Sequence, residues 1–213
     1  MKVAEMRATT FWPAVVGIAL TLEIPFLDFD ASRATALIIP LQSYDLSHFP
    51  LSEPRSGVLF DIDGDGAKER VSWPLPGAQF AFLAIDRNGN GAIDNGIELF
   101  GSQTLPGTGG GFSALIKYDG PRTTGAIDSS DALFQRLLLW TDNNHNGASE
   151  PDELYKAADA FAKLGLGYFL KTQRHSSGSE FVHQGWSIRR RDFRNRPDDQ
   201  ITPVYELRLA TEK

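Results

Sequence analysis

The sequence predicts an α+β domain rich in acidic loops, with short helices and a small antiparallel sheet. Three observations support this class. Gly, Asp and Asn gather in short runs from Gly57 to about Leu166, two later segments carry helix-start signals, and three runs rich in aromatic and β-branched residues close the chain. At 213 residues, with 41% hydrophobic and 23% charged side chains, the chain suits one medium domain with or without an arm and is too apolar for a disordered polyelectrolyte. Cysteine is absent, which excludes a disulfide framework, thiol catalysis and Cys-ligated zinc or iron–sulfur sites. A net charge of −6 argues against a nucleic-acid partner, because phosphate binding needs a basic surface.

The elements follow in order. Residues 1–36 are expected to form either an export signal or an N-terminal arm. Lys2 and Arg7 precede an apolar stretch from Phe11 to Leu22 that is too short to span a bilayer, and Ala34-Thr35-Ala36 is the nearest small-residue pattern. The alternative is a buried N-terminal helix or strand. Residues 37–56, with three prolines, read as irregular extended chain packed on the domain that occupies 57–213. Ser129–Trp140 reads as a helix from its Ser/Asp start and apolar spacing, and Pro151–Lys163 as a second from its leading proline and the acids Asp152 and Glu153. Strands are expected at Leu166–Thr172, Phe181–Arg190 and Val204–Thr211, in a meander with a tight turn at His175–Ser179 and a longer connection at Arg194–Asp199.

The charge is uneven. Residues 57–153 hold 14 acidic and 6 basic side chains, a local −8, whereas Lys171 to Lys213 hold 9 basic and 6 acidic, a local +3. The acids are spaced as ligands. A calcium loop of the EF-hand type places oxygen at positions 1, 3, 5, 7, 9 and 12, with glycine at 6 for the sharp turn. Asp142, Asn144 and Asn146 take positions 1, 3 and 5, the Ala148 carbonyl takes 7, Glu150 takes 9 and Glu153 takes 12. Asp86, Asn88, Asn90, Ala92 and Asp94 repeat the frame, with Ile93 as the apolar anchor at position 8 and the last carboxylate displaced by one, to Glu98. Asp61, Asp63, Asp65, Ala67 and Glu69 supply positions 1 to 9 of a shorter loop, whose position 12 is Ser72. Three aspartates on alternate residues repel one another unless a cation lies among them. Asp119–Asp131 keeps the frame without the ligands and reads as a degenerate loop, with Asp128 and Asp131 as caps.

The loops FDIDGDG, IDRNGNGAIDNGIELFG, DG…GAIDSSDALF and LLLWTDNNHNGASEPDEL, together with Gln184-Gly185-Trp186, resemble a calcium-binding module of large exported bacterial proteins. That module accompanies RTX-type proteins and includes the Asp-Pro self-processing module of some of them. The resemblance runs from about Gly57 through Phe169. It implies EF-hand-like calcium loops, calcium-driven folding and residence outside the cytosol. The chain departs from the self-processing pattern in having no Asp-Pro dipeptide, with Arg55-Ser56-Gly57 in the corresponding stretch, and it lacks glycine-rich nonapeptide repeats.

No nucleophile elbow, HExxH, P-loop or dinucleotide fingerprint appears, so no enzyme activity is expected. His48, His145, His175 and His183 lack metal-ligand spacing, with His145 expected to face solvent and His175 and His183 to be surface residues. Trp73, Trp140 and Trp186 read as packing aromatics, and Arg189-Arg190-Arg191 with Arg194 and Arg196 as a solvated, salt-bridged edge. The functional expectation is a calcium-ion-binding module, secreted or periplasmic, stabilised by Ca2+ for contact with a protein or cell-surface partner, with no transmembrane span. A self-processing module and a cytosolic EF-hand sensor are the alternatives.

Overall fold

A computed structural model describes residues 34–119, 124–190 and 200–212. Its strands are β1 (Thr35–Pro40), β2 (Val58–Phe60), β3 (Glu69–Val71) and β4 (Phe80–Ala84), followed by helix α1 (Gly111–Tyr118) and β5 (Ala126–Asp128). Then come β6 (Leu138–Trp140), β7 (Leu154–Lys156), the four-residue α2 (Ala157–Ala160), β8 (Phe161–Gly165), β9 (Phe169–Arg174), β10 (Glu180–Arg189), β11 (Gln200–Arg208) and β12 (Thr211–Glu212). Among the described residues, nine strands form one sheet in the order β5-β8-β10-β11-β1-β4-β6-β7, with β9 also on β10, and β12-β3-β2 form a small second sheet. Every named strand pair is antiparallel.

The α+β expectation is therefore corrected: the domain is mostly β, and the two described α-helices are short. The segment 129–140 shows why. Leu137 and Leu139 pack into one core while Trp140 packs into the other, with partly buried Leu138 against it. An apolar run buried on both faces has no period to separate strand from helix, and here β6 forms beside β4. The only helical turn in that segment is a 3₁₀ turn at Phe134–Arg136. The signals at 151–163 are likewise spent on a 3₁₀ turn, Pro151–Glu153, and the four-residue α2, while Leu154–Lys156 pairs with β6 and Phe161–Gly165 pairs with β10.

The expectation of irregular chain over 37–56 is corrected at its start, where residues 37–40 belong to β1, which lies between β11 and β4, with Ile38 opposite both Tyr205 and Phe82. Its alternate residues feed different cores. Ala36 and Ile38 join Phe60, Trp73, Phe82 and Trp140 on one face, whereas Leu37 and Ile39 join Phe112, Phe134 and Phe161 on the other. The three closing strands form near the expected places, as β9, β10 and β11, and the His175 N–H to Ser179 carbonyl bond (2.8 Å) closes the turn between the first two. Arg189 is buried and donates to the carbonyls of Leu41 (3.0 Å) and Pro40, so it ties β10 to the end of β1 and is no solvated edge. Arg191, Arg194, Arg196 and the connection 194–199 lie outside the described residues, as do residues 1–33.

His175 is buried and His183 half-buried, so neither is a simple surface group. His183 Nδ1 lies 2.9 Å from the buried Glu206, which also accepts from Thr35 Oγ1 (2.7 Å) and the Gly111 N–H (2.8 Å), joining β10, β11, β1 and α1. His175 is buried, and its Nδ1 accepts from the Ser177 N–H (3.1 Å), which requires the neutral ring. Burial pushes its pKa down. In the interval below the unfolded value of about 6.5 the unfolded chain then binds more protons than the folded one, so this contribution to stability is complete above that pH and lost on acidification. Chemical denaturation between pH 7.5 and 5 should show the loss, at no more than about 1.4 kcal/mol per pH unit, and His175→Gln should flatten it. A second prediction concerns Gly101, where an added Cβ would lie 1.6 Å from the Thr35 carbonyl oxygen. Gly101→Ala should destabilise by about 2 kcal/mol or more in the same assay, because backbone must move to admit it.

Candidate metal centre

Three acidic loops lie over the aromatic core, where Ile62 of the first and Ile93 of the second are buried with Phe60, Trp73 and Trp140. The first joins β2 to β3, the second follows β4, and the third leaves β6. No α-helix directly flanks any of them, so the helix–loop–helix context of an EF-hand is absent among the described residues. The loops nevertheless share one backbone. Position 4 is left-handed in each, at Gly64 (φ 74°), Gly89 (φ 76°) and His145 (φ 61°), and so is position 6, at Gly66, Gly91 and Gly147. His145 is thus held in a conformation that disfavours a side chain. It is half-buried, with its ring nitrogens against the carbonyls of Pro74 and Ser56, and does not simply face solvent.

The polar side chains repeat as well. The first carboxylate accepts from the position-6 amide in every loop: Asp61 from Gly66 (3.1 Å), Asp86 from Gly91 (2.9 Å) and Asp142 from Gly147 (2.8 Å). Side chains at position 3 accept from the position-5 amide, as Asp63, Asn88 and Asn144 do at 2.9–3.3 Å. Those at position 5, Asp65, Asn90 and Asn146, accept from the amides of Ala67, Ala92 and Ala148 at 2.7–2.8 Å. A closing carboxylate then reaches back to the position-2 amide, Glu69 to Ile62 (3.3 Å), Glu98 to Arg87 (2.9 Å) and Glu153 to Asn143 (2.7 Å). In the shorter first loop Glu69, at position 9, serves as the last carboxylate in place of a position-12 glutamate.

Opening and closing acids sit deeper than those between them. Asp61, Glu69, Glu98, Asp142 and Glu153 are buried, whereas Asp65, Asn88, Asn90, Asp94, Asn144 and Asn146 are exposed. Burial, followed by the charges of Asp63 and Asp65, pushes the Glu69 pKa up. Burial, followed by its bond to Glu150, does the same to Glu153, while the Asn146 amide holds Glu150 below the ordinary range. Asp61, Asp63 and Asp65 each offer a carboxylate oxygen, all within 4.8 Å of one another, which is the spacing of groups able to share one cation. In the second loop Asp94 accepts from Asn88 (3.0 Å) and Asn90 (2.7 Å), and in the third Glu150 accepts from Asn146 (2.6 Å), so the position-9 acid folds over the loop in both. The candidate donors are all oxygen, as a hard cation requires.

Two features escaped the sequence. The buried indoles of Trp73 and Trp140 donate to Asp142 (2.7 Å) and Glu153 (3.4 Å), joining the third loop to the core. Ser149 Oγ accepts from the Ile93 N–H (2.6 Å) and clasps the second loop to the third. Shared position 8 was the available signal for Ser149, but nothing local marks which loops meet. Of the degenerate loop, residues 120–123 lie outside the described residues. Asp131 accepts from the Asp128 N–H (2.9 Å), and Asp128 is held down to about 2 by the Ser130 N–H and hydroxyl, with Lys163 3.1 Å away.

Fold and loops together define a β-sheet domain bearing three oxygen-lined loops on one side of its sheet. Residues 37–196 match the model of the SPM domain, and the chain belongs to that family. It is also 34% identical over 135 residues to the iron-regulated protein FrpA of Neisseria meningitidis serogroup C. That match covers 61% of this chain and spans only 12% of the length of FrpA. Among the described residues, no helix is long and apolar enough to cross a membrane.

Proposed function

We propose that the chain is a calcium-binding module of an exported bacterial protein, in which bound ions stabilise the fold for contact with a surface or partner. The observation that carries this reading is the repeated loop frame, in which three segments with different neighbours hold their oxygens in the same hydrogen-bonded arrangement. Calcium suits loops that offer many carboxylate and carbonyl oxygens, whereas magnesium keeps more of its water. The first site uses Asp61, Asp63, Asp65, Ala67 and Glu69, the second Asp86, Asn88, Asn90, Ala92, Asp94 and Glu98, and the third Asp142, Asn144, Asn146, Ala148, Glu150 and Glu153. Ions there supply the counter-charge that the buried carboxylates otherwise lack. The likeness to FrpA and the resemblance of the loops to modules of exported bacterial proteins support export. The module acts by binding and not by catalysis, in keeping with the absence of an Asp-Pro bond from these 213 residues.

Chelator-stripped protein should melt at a markedly higher temperature in calcium, each site adding about 2.7 kcal/mol when free calcium is 100 times its dissociation constant. Asp86→Ala and Asp142→Ala should each remove one site in calorimetry. Identical melting in calcium and in chelator rejects the reading. Mass measurement after incubation with calcium should return the intact chain, and a cleaved product overturns the non-catalytic role.

A further inference from the structure

We infer that the second and third loops are linked sites, an ion in one raising the affinity of the other through the clasp between Ile93 and Ser149. The inference rests on the calcium reading and adds to it how the sites are regulated. The two residues occupy the same position, the eighth, in their respective loops. The Ile93 N–H donates to Ser149 Oγ at 2.6 Å, although 56 residues separate them. Each is flanked by two proposed ligands, Ile93 by Ala92 and Asp94, and Ser149 by Ala148 and Glu150. The bond therefore joins the stretches of backbone that carry the position-7 carbonyl and the position-9 carboxylate in both loops. Ile93 is 2% exposed and fixed in the aromatic core, so the second loop holds its end of the clasp rigidly.

The direction of the linkage follows from ordering. An ion in either loop fixes positions 7 to 9 of that loop, and through the clasp it restrains the same positions of the other. The second ion then meets a loop already partly ordered and loses less conformational entropy on binding. The first loop touches the second through the Gly96 N–H and the Asp61 carbonyl (2.8 Å), a backbone bond that side-chain replacement leaves in place. The Ser149 hydroxyl is the link that mutation can remove.

The structure also provides a reporter. Trp73 and Trp140 donate to Asp142 and Glu153, so indole emission should follow filling of the third loop, and Asp142→Ala identifies that component by abolishing it. Four chelator-stripped chains of residues 1–213 are titrated with calcium: wild type, Asp86→Ala, Ser149→Ala and the double variant. In the wild-type background, emptying the second loop with Asp86→Ala should raise the calcium midpoint of the third by at least about fivefold. In the Ser149→Ala background the same change should raise it by less than about twofold. Ser149→Thr, which keeps the hydroxyl, should retain the full linkage. An equal shift in both backgrounds, or no shift in either, overturns the coupling while calcium binding stands. A wild-type chain that takes up no calcium overturns the calcium reading, and the coupling with it.

Discussion

The placement of β1 between β11 and β4 is the constraint on which the other layers depend. A strand buried on both faces must send alternate side chains into different environments, so a shift of one residue would exchange the two cores. Ala36 and Ile38 meet an aromatic cluster in which Trp73, Phe82 and Trp140 lie with ring centroids 4.8–5.8 Å apart. Leu37 and Ile39 meet the helical side, where α1 begins against Glu206. Each large apolar side chain buried here contributes about 1.5–3 kcal/mol, so either core lost to a slipped register outweighs any single polar contact. The acidic loops are carried on the aromatic face as a consequence of this division.

On that face, charge works against burial. Glu98 is 3% exposed and Asp142 4%, values that a carboxylate reaches only when its oxygens are bonded. The loops meet that need with their own amides, which the left-handed turns at positions 4 and 6 point inward. They also borrow two indoles from the core. Burial pushes the pKa of Glu69 and Glu153 up, and the amide bonds, which neutralise no charge, offset this only in part. The loops are thus ordered by hydrogen bonds and left short of positive charge.

The positions of the three loops were legible in the sequence because their geometry is local. An oxygen-bearing side chain on alternate residues, with glycine at the sharp turn, leaves a four- to six-residue hydrogen-bond pattern few alternatives. The closing strands were legible for a related reason, since aromatic and β-branched residues fit the pleated surface wherever it lies. At Leu137–Trp140 continuous burial erases the two-residue period, so the strand is not distinguishable from a helix by pattern. At Leu37–Pro40 the proline content of 37–56 points to irregular chain, yet Pro40 stands at the end of the strand, opposite Phe80. The roles of Arg189, His183 and Ser149 depend on partners 148, 23 and 56 residues away, and no local pattern encodes such distances.

The closing carboxylates carry a consequence for how such loops can change. Glu69 lies eight residues beyond Asp61, Glu98 twelve beyond Asp86 and Glu153 eleven beyond Asp142, yet all three return to the amide after the opening aspartate. The ring is fixed by where its ends meet, and not by the length of chain between them. Insertions and deletions in the far arc change which oxygens face the centre while leaving both ends, and the strands behind them, in place. One scaffold can therefore carry rings of different girth on the same pair of ends.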